Sequence, residues 1–564
     1  MHLPIGVSNF RELIEYKNPL SKEGYLYVDK SLFVKEIIGD ATPVIVLTRP
    51  RRFGKTLNLS MLHHFFAAEV EGQPTKKLFA GLKIANDSVC MLEQGQHPVI
   101  FITLKDAKYK TFESCFEYIK IQIANLYSEY RSLLQSELLK PEDRELFSQI
   151  LENRATLAYW HESIKSLTKF INKATGKQAI ILIDEYDTPI QEAYLNGYYN
   201  ELISFMRNLL SSALKDNGFF KRAILTGILR ISKESLFSGL NNAKTYSLLD
   251  QNYCNYFGFT EAETNDLLVT ANLANTISQT KQWYNGYNFG GNTIYNPWSI
   301  INFIKDNGKL SPHWINTSSN ELIREILTTS EIETQEKIGQ LIAGETIKET
   351  VDENIVFKDL QQNRAAIWGL FTMSGYLKVL SSEFGEFGNI CALAIPNKEV
   401  EFLYKQIFRE WLSGNRGIMW YQELLAVLTS GQIKKFEHKL QNAIEEMASY
   451  HDTSKTKQEI FYQGLMLGIL VGLKDQYEIR SNREAGIGRY DLLLSPKDVK
   501  KLGVIMEFKA VDNELKLEEE ATAALEQIKK SRYATDLKSR GVSNICSMGI
   551  SFSGKTVKIV ADHS

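Results

Sequence analysis

Residues 48–62 read TRPRRFGKTLNLSML, directly after the apolar run at residues 43–47. The tripeptide Gly54-Lys55-Thr56 matches the end of a P-loop, G-x-x-x-x-G-K-[ST]. In such a loop backbone N–H groups surround the phosphates, the lysine reaches the β- and γ-phosphates, and the hydroxyl binds Mg²⁺. We therefore predict that Gly54, Lys55 and Thr56 bind ATP with Mg²⁺.

The start of this loop departs from the pattern. The first glycine is replaced by Arg49, and Pro50 fixes one φ angle beside it. Arg51, Arg52 and Phe53 complete the predicted nucleotide-binding loop. The arginines are candidates for positive charge beside a transferring phosphoryl group, and a solvated or structural role is an equal alternative for each.

A second element supports the nucleotide site. Residues 179–187 read AIILIDEYD, an apolar strand that ends in carboxylates. Open α/β sheets bind ligands at the C-terminal ends of their strands. We predict that Asp184 holds Mg²⁺ through water and that Glu185 is the catalytic base that polarises the attacking water. The alternative is that both acids only cap the strand and form local salt bridges.

The next apolar run, residues 223–225, continues into Thr226 and Gly227. Thr226 is a candidate sensor of the γ-phosphate, so we count it among the nucleotide-binding residues. Arg230 is a candidate catalytic arginine that would stabilise charge in the transition state. A structural role is equally open for Arg230.

A different pattern appears near the C-terminus, where residues 504–509 read VIMEFK. Strand alternation places Glu507 and Lys509 on one face, and Asp491 lies sixteen positions before Glu507. A hairpin through residues 495–498 would pair the two strands. The carboxylates would then converge on Mg²⁺ or Mn²⁺, and Lys509 would orient a water for phosphodiester cleavage. Because E-x-K is common by chance, a structural or decayed site is the alternative.

Two further residues are weaker candidates for this site. Glu459 would add a third metal-binding carboxylate, and Gln527 would contact the site or the phosphate as a catalytic residue. Gln527 is expected on a helix that begins near Leu517. For both, a solvated position on a helix is the simpler interpretation.

Apolar runs at residues 43–47, 98–104, 179–183 and 223–225 alternate with amphipathic stretches such as 116–130 and 202–214. This alternation predicts an α/β fold, a P-loop NTPase core whose parallel sheet is covered on both faces. Residues 259–450 read as mostly helical, and residues 451–564 as a helix, a strand pair and a second helix. We predict domains at 1–258, 259–450 and 451–564, with the last boundary in the polar stretch 449–457.

The composition of the chain bears on its partners and on its location in the cell. The formal net charge of −2 gives no global attraction to nucleic acid or membrane, although a local basic face is compatible with it. Five scattered cysteines without paired spacing predict reduced thiols and no zinc site, which is typical of the cytoplasm. The N-terminus lacks the pattern of a secretory signal, and the apolar run 465–473 is too short to span a bilayer. We expect a cytoplasmic protein without a membrane partner.

Together these stretches resemble an AAA-ATPase-like domain beside a C-terminal PD-(D/E)XK nuclease domain, a pairing found in many bacterial and archaeal proteins. The resemblance implies a P-loop ATPase core, an all-helical middle and a restriction-endonuclease-like fold at the end. It also implies that an arginine-rich loop without the first glycine is normal in this group. The matching stretches are YLYVDKSLFVKEII (25–38), RPRRFGKTLNLSML (49–62), ILIDEYDTPI (181–190), LTGILRISKESLFSGLNN (225–242), WYNGYNF (283–289), IYNPWSI (294–300), FYQGLMLGIL (461–470), SNREAGIGRYDLLL (481–494) and IMEFK (505–509).

Two functions fit these observations. The first is an ATP-regulated or ATP-driven nuclease that acts on DNA or RNA. The second is a nucleotide-switched sensor or interaction module whose nuclease-like fold binds without cutting. The set Asp491, Glu507 and Lys509 favours the first, and a single ATPase core disfavours a helicase. Nucleic acid is the expected partner, a homo-oligomer is compatible with the sequence, and strandedness and trigger stay open.

Overall fold

The structure is a computed structural model of the 564-residue chain. It describes residues 2–230, 241–315, 321–329, 332–355, 357, 360, 363–386, 388–413, 417–447, 455–485, 488–531 and 533–563. The chain forms two compact units, the first made of Met1–Ser318, Glu349–Cys391 and Pro396–Glu399, and the second of Ser319–Lys348, Ala392–Ile395 and Val400–Ser564. Most of the predicted boundary stretch 449–457 lies outside the described residues, so the predicted domain limits stay a proposal.

The first 315 residues alternate strands and helices. The strands are β1 (Val44–Thr48), β2 (Glu69–Val70), β3 (Gln73–Pro74), β4 (Val99–Thr103), β5 (Ala179–Asp184), β6 (Phe220–Gly227), β7 (Ala243–Tyr246), β8 (Phe259–Thr260), β9 (Tyr287–Phe289) and β10 (Asn292–Tyr295). The helices are α1 (Phe10–Glu15), α2 (Phe33–Gly39), α3 (Lys55–Phe66), α4 (Ser88–Met91), α5 (Phe112–Glu129), α6 (Pro141–Leu151), α7 (Leu157–Thr175), α8 (Thr188–Asn196), α9 (Tyr199–Leu214), α10 (Glu261–Thr270), α11 (Ile277–Tyr284) and α12 (Pro297–Lys305).

A five-stranded parallel sheet of order β4-β5-β6-β1-β7 forms the centre of the first unit. Strands β1 and β5 are buried along their whole length, which explains why they read as continuous apolar runs. Helix α5 starts where the Thr111 side chain caps the N–H of Ser114, and α7 ends at Gly176, whose φ is 71°. The predicted parallel α/β fold is confirmed.

The predicted middle region, residues 259–450, is mostly helical, but its described part also holds two three-stranded sheets, β8-β10-β9 and a second one. The all-helical middle that the resemblance implied is therefore wrong. Strand order in the second sheet is β11-β13-β12. The elements are α13 (Glu321–Thr329), α14 (Ile332–Ala343), β11 (Ile347–Val351), α15 (Arg364–Met373), β12 (Lys378–Gly385), β13 (Gly388–Ala394), α16 (Lys398–Ser413), α17 (Gly417–Thr429) and α18 (Ile433–Met447).

The C-terminal part of the second unit is a mixed sheet of order β14-β15-β16-β17-β18. Only β16 and β17 pair in parallel, and α20 connects them. Gly549 on β17 permits this helix to approach, since a Cβ there would overlap the carbonyl of Ala521. The elements are α19 (Lys455–Leu470), β14 (Tyr477–Ala485), β15 (Gly488–Pro496), β16 (Gly503–Ala510), α20 (Leu517–Lys530), α21 (Ala534–Ser539), β17 (Ile545–Ser553) and β18 (Thr556–His563).

The predicted pairing of the two C-terminal strands is present. Strands β15 and β16 are antiparallel, with Leu492 opposite Met506. Helix α20 begins at Leu517, as expected. Among the described helices, none combines the length and the apolar character needed to cross a membrane.

Candidate nucleotide and metal sites

The predicted phosphate-binding loop lies at the C-terminal edge of the parallel sheet, between β1 and α3. Gly54 immediately precedes α3 and has a φ of 83°, a left-handed conformation that glycine adopts at little cost. Arg52 also has a positive φ, of 68°. The chain therefore turns sharply before the helix, whose N-terminus is the end that attracts phosphate.

Lys55 begins α3, and its side chain is buried beneath the loop. Its Nζ donates to the carbonyl oxygens of Arg49 and Pro50, at 3.1 Å each. The same atom lies 3.7 Å from Oε1 of Glu185. Lys55 thus places positive charge between the loop and the acidic end of β5.

The Thr56 hydroxyl joins the two nucleotide motifs, because it donates to Oδ2 of Asp184 at 2.7 Å. Thr226 donates to Oδ1 at 2.7 Å, and the Thr103 hydroxyl lies 3.3 Å from Oδ2. Burial raises the pKa of Asp184, and the neighbouring charge of Glu185 raises it further. Three hydroxyl groups therefore fix the orientation of this carboxyl.

Glu185 occupies a backbone conformation with a φ of 53°, which is uncommon for a residue with a long side chain. Its Oε2 accepts a hydrogen bond from the Thr188 hydroxyl at 2.8 Å. Burial by itself would raise the pKa of Glu185, but the Lys55 ammonium and the Thr188 hydrogen bond hold that pKa below its ordinary value. The carboxylate is thus ionised at neutral pH, as a base that orients water must be.

Two residues of this cluster escape sequence reasoning, Thr103 and Lys108. Thr103 is opposite Asp184 in the register of β4 and β5, so only the strand order brings its hydroxyl to the site. Lys108 follows β4, and its charge helps to lower the pKa of Glu185. The basic stretch LKDAKYK after an apolar strand, residues 104–110, is the only signal of Lys108 in the sequence.

Asp187, the last acid of the IDEYD stretch, has a structural position. Its Oδ2 accepts the backbone N–H groups of Ile228 and Leu229 at 2.8 and 2.9 Å. Burial raises the pKa of Asp187 to about 6. Gly227 makes room for it, because a Cβ there would lie 2.6 Å from Oδ1. Asp187 therefore ties the end of β5 to the chain that follows β6.

Arg49, at the position of the missing glycine, is wholly buried. It donates to the carbonyl of Tyr246 at 2.9 Å, and its guanidinium lies 5.3 Å from the centre of the Phe257 ring. Burial lowers the pKa of Arg49 to about 10, so it keeps its charge at neutral pH. The Arg49 side chain thus supports the loop through its contacts with Tyr246 and Phe257.

The other three loop residues differ in what they offer a nucleotide. Arg51 donates to the Gln191 side chain at 3.0 Å, and Arg52 stacks 4.4 Å from the centre of the Trp298 ring. The Phe53 side chain is buried and packs against Tyr287, with ring centres 5.0 Å apart. Only the backbone of Phe53 is therefore available to a phosphate.

Arg230 has contacts of its own near the end of β6. Its carbonyl accepts the N–H of Ile355, and its side chain lines a cavity of about 490 Å³ together with Asp250 and Glu353. None of the contacts described for Arg230 reaches Lys55, Asp184 or Glu185. The catalytic role of Arg230 therefore stays a prediction.

The predicted C-terminal residues lie on the neighbouring strands β15 and β16. Oδ2 of Asp491 accepts the backbone N–H of Phe508 at 2.8 Å, which places this carboxylate between the positions of Glu507 and Lys509. Glu507 is buried, and the Nζ of Lys509 lies 3.9 Å from its Oε1. The structure therefore brings all three side chains to one place on the sheet.

Two glutamines support these carboxylates. The amide of Gln527, on α20, donates to Oε1 of Glu507. Gln463, on α19, donates to the backbone carbonyl of Asp491 at 3.2 Å and is buried. The sequence analysis named Gln527 and missed Gln463. The only signal of Gln463 in the sequence is that it is a polar residue within the apolar helical stretch FYQGLMLGIL.

Glu459 lies on α19, and its side chain is outside the described residues. Within the described part of the chain, no group of three or more histidine, cysteine or acidic side chains is arranged to hold a metal. The donor set that is present nevertheless fits Mg²⁺ or Mn²⁺. Asp491 and Glu507 offer carboxylate oxygens, the ligands these hard cations prefer.

Two family matches and one relative place the chain among known proteins. Residues 4–237 match the family described as "Predicted AAA-ATPase", and residues 457–562 match the PD-(D/E)XK nuclease superfamily. The chain is 28% identical over 327 residues to an uncharacterized protein in the vnfD 5' region of Azotobacter chroococcum mcd 1. That match covers 58% of this chain and 56% of the relative. The chain thus carries an AAA-ATPase-like domain and a C-terminal domain of the PD-(D/E)XK nuclease superfamily, which confirms the resemblance seen in its sequence.

Proposed function

We propose that this protein hydrolyses ATP in its first unit and cleaves nucleic acid in its second, with nucleotide state controlling cleavage. The observation that carries the proposal is the hydrogen bond between Thr56 and Asp184, at 2.7 Å. It joins two motifs that are each weak alone and are 128 positions apart. Chance motifs would have no reason to meet at the ligand-binding edge of a parallel sheet.

Each polar group of the nucleotide site would have a role in ATP binding or hydrolysis. Lys55 would exchange its contacts with loop carbonyls for the β- and γ-phosphate oxygens of ATP. Thr56 and Asp184 would hold Mg²⁺, which would neutralise charge on the phosphates. Glu185, ionised and fixed by Thr188, would orient the attacking water. Arg51, Arg52 and Lys108 would add positive charge around the transferred phosphoryl group.

The C-terminal site would also use a bound cation and a nearby lysine to stabilise negative charge on a phosphate. Asp491 and Glu507 would hold Mg²⁺ or Mn²⁺, and a cation bound there would supply positive charge at the scissile phosphate and favour ionisation of a nearby water. Lys509 would orient that water and stabilise the developing negative charge. Gln527 donates to Oε1 of Glu507 and so would help to orient the carboxylate that holds the cation.

Nucleic acid is the substrate class that this chemistry fits, and phosphate contacts should make binding weaker as salt rises. We also propose a cytoplasmic location, which the five free and buried cysteines support. The predicted limits at residues 258 and 450 are proposed as the extents of the ATPase and middle regions.

The decisive experiment uses the full-length protein with labelled DNA and RNA, in Mg²⁺ or Mn²⁺, with ATP, without nucleotide, and with a non-hydrolysable analogue. We expect metal-dependent cleavage that changes with nucleotide state, and loss of ATP binding in Lys55→Ala. Nucleotide-dependent binding without cleavage under any condition would replace the nuclease with a switch module. Unchanged ATP affinity in Lys55→Ala would refute the nucleotide site itself.

A further inference from the structure

A second concave site lies in the C-terminal sheet, away from Asp491 and Glu507. It is a cavity of about 550 Å³ whose lining includes Gly431, Lys500, Lys501, Asn544 and His563. Leu502, also in the lining, directly precedes β16. Glu507 lies five residues further along that strand, which corresponds to about 16 Å. The cavity therefore lies at the start of β16, whereas Glu507 lies in the second half of that strand.

The charged groups of this cavity are all of one sign. Its described lining contains Lys500, Lys501 and the imidazole of His563, together with hydroxyl and amide groups and no carboxylate. Acids close to the lining in sequence include Asp475, Asp498 and Asp562. Asp562 forms an ion pair with Lys529 at 3.0 Å, and Asp498 accepts the backbone N–H of Lys500 at 3.1 Å. Asp498 therefore shapes the turn that presents the lysines. Lys501 is held by Gln476, whose Oε1 accepts from its Nζ at 2.7 Å.

The backbone adds to this positive field. Helix α18, 15 residues long, begins at Ile433, two residues after Gly431 of the lining. The N-terminus of a helix carries partial positive charge and attracts phosphate. Gly431 has a φ of 72°, and a Cβ on it would lie 3.1 Å from Cε1 of His563. Glycine thus keeps the space between the helix start and the imidazole open.

We propose that this cavity binds a phosphate group of a phosphate-bearing ligand, either the backbone of nucleic acid or a free nucleotide. Two lysines, an imidazole and a nearby helix N-terminus, with no carboxylate in the described lining, are the chemistry that recognises phosphate. The volume also falls within the range of small-ligand sites, about 300–1,000 Å³. The nucleic-acid alternative rests on the proposed function, because it would anchor the substrate remote from the cut.

The test measures binding, and therefore does not depend on cleavage. Full-length protein is titrated in EDTA with a fluorescein-labelled DNA duplex at several salt concentrations. A second titration uses ATP with Mg²⁺ in the Lys55→Ala background, which removes the P-loop contribution. The test variant is Lys500→Gln with Lys501→Gln, and the rescue variant carries arginine at both positions. The charge-matched control is Lys305→Gln with Lys309→Gln, because both lysines are exposed and lie in the first unit.

A nucleic-acid ligand predicts that the test variant loses about tenfold in duplex affinity and that its salt slope falls by about 2, near 0.9 per lost phosphate contact. A nucleotide ligand predicts instead an approximately tenfold loss of the residual ATP binding, with duplex binding unchanged. In either case arginine restores binding and the control behaves as wild type. If the test variant binds both probes as the control does, the proposal is wrong. A wild type that binds but never cleaves would refute the nuclease and leave this site standing.

Discussion

The indole N–H of Trp314 donates to the backbone carbonyl of Arg51 at 3.2 Å, so a residue more than 250 positions away holds the phosphate-binding loop. Trp314 is itself fixed, because Glu399 accepts its backbone N–H at 2.6 Å. The loop therefore receives its shape from the helical region as well as from its own residues.

Removal of this indole donor should weaken nucleotide binding. Trp314→Phe keeps the aromatic packing and loses one hydrogen bond, which is worth about 0.5–1.5 kcal/mol. We expect ATP affinity, measured by calorimetry, to fall about 2- to 10-fold. Trp368→Phe is the matched control, because the structure describes no partner for its indole nitrogen. Equal affinities in the two variants would show that the loop does not depend on this bond.

Loss of the carboxylate at Glu185 should slow hydrolysis and spare binding. Glu185→Gln keeps an acceptor for the Thr188 hydroxyl and removes the base, so phosphate release should fall about 10²–10⁴-fold. Glu201→Gln, an exposed change on α9, should hydrolyse ATP at the wild-type rate. A normal turnover rate in Glu185→Gln would assign the catalytic water to another residue.

Changes at the C-terminal site should stop cleavage without touching ATP turnover. Asp491→Asn can still accept the Phe508 N–H, so it separates loss of charge from loss of fold. Lys509→Gln removes positive charge and should cost about 10²–10³-fold in cleavage rate. Lys530→Gln on α20 serves as control for net charge. Cleavage that survives in both site variants must come from elsewhere in the chain or from a contaminant.

Glu399 should make stability depend on pH. Burial raises the pKa of this carboxyl from 4.5 to about 7. Between these values the folded chain keeps a proton that the unfolded chain has lost. The stabilising contribution is therefore full below pH 4.5 and disappears as pH rises through 7, by an amount on the order of 3 kcal/mol.

The measurement is the thermal transition of wild type and Glu399→Gln at pH 5 and pH 8. We expect the wild type to lose more stability than Glu399→Gln between the two values, so that the variant gains relative to wild type at pH 8. Glu142→Gln, an exposed acid, is the control. Identical pH dependence of wild type and Glu399→Gln would contradict a neutral Glu399 in the folded protein.

Much of the fold was predictable because its signals are local. Buried parallel strands such as β1 and β5 are apolar at every position, and turn residues mark the hairpin between β15 and β16. The proximity of Thr56 and Asp184 was also predictable, since parallel strands present their C-terminal ends at one edge. The family resemblance extended the prediction to the middle region, where helical periodicity alone does not define a fold.

The contacts that the sequence did not predict depend on strand register and on side-chain direction, and neither can be read from the sequence. Thr103 reaches Asp184 only because β4 lies beside β5, and Gln463 reaches β15 only through the placement of α19. Arg230 follows Thr226 by four residues, and the sequence did not predict that it lines a cavity with Asp250 and Glu353. Phe53 sits within the predicted loop, yet its ring belongs to the core.

The burial of Arg49 has a consequence for which substitutions this loop tolerates. A glycine at that position would make no side-chain contacts, whereas Arg49 donates a hydrogen bond to the carbonyl of Tyr246 and lies over the ring of Phe257. Its replacement would leave a vacant space and unpaired carbonyls at a distance from the loop. The phosphate-binding loop and the segment that carries Tyr246 and Phe257 therefore form one packing unit, and a change in either one alters the surroundings of the other.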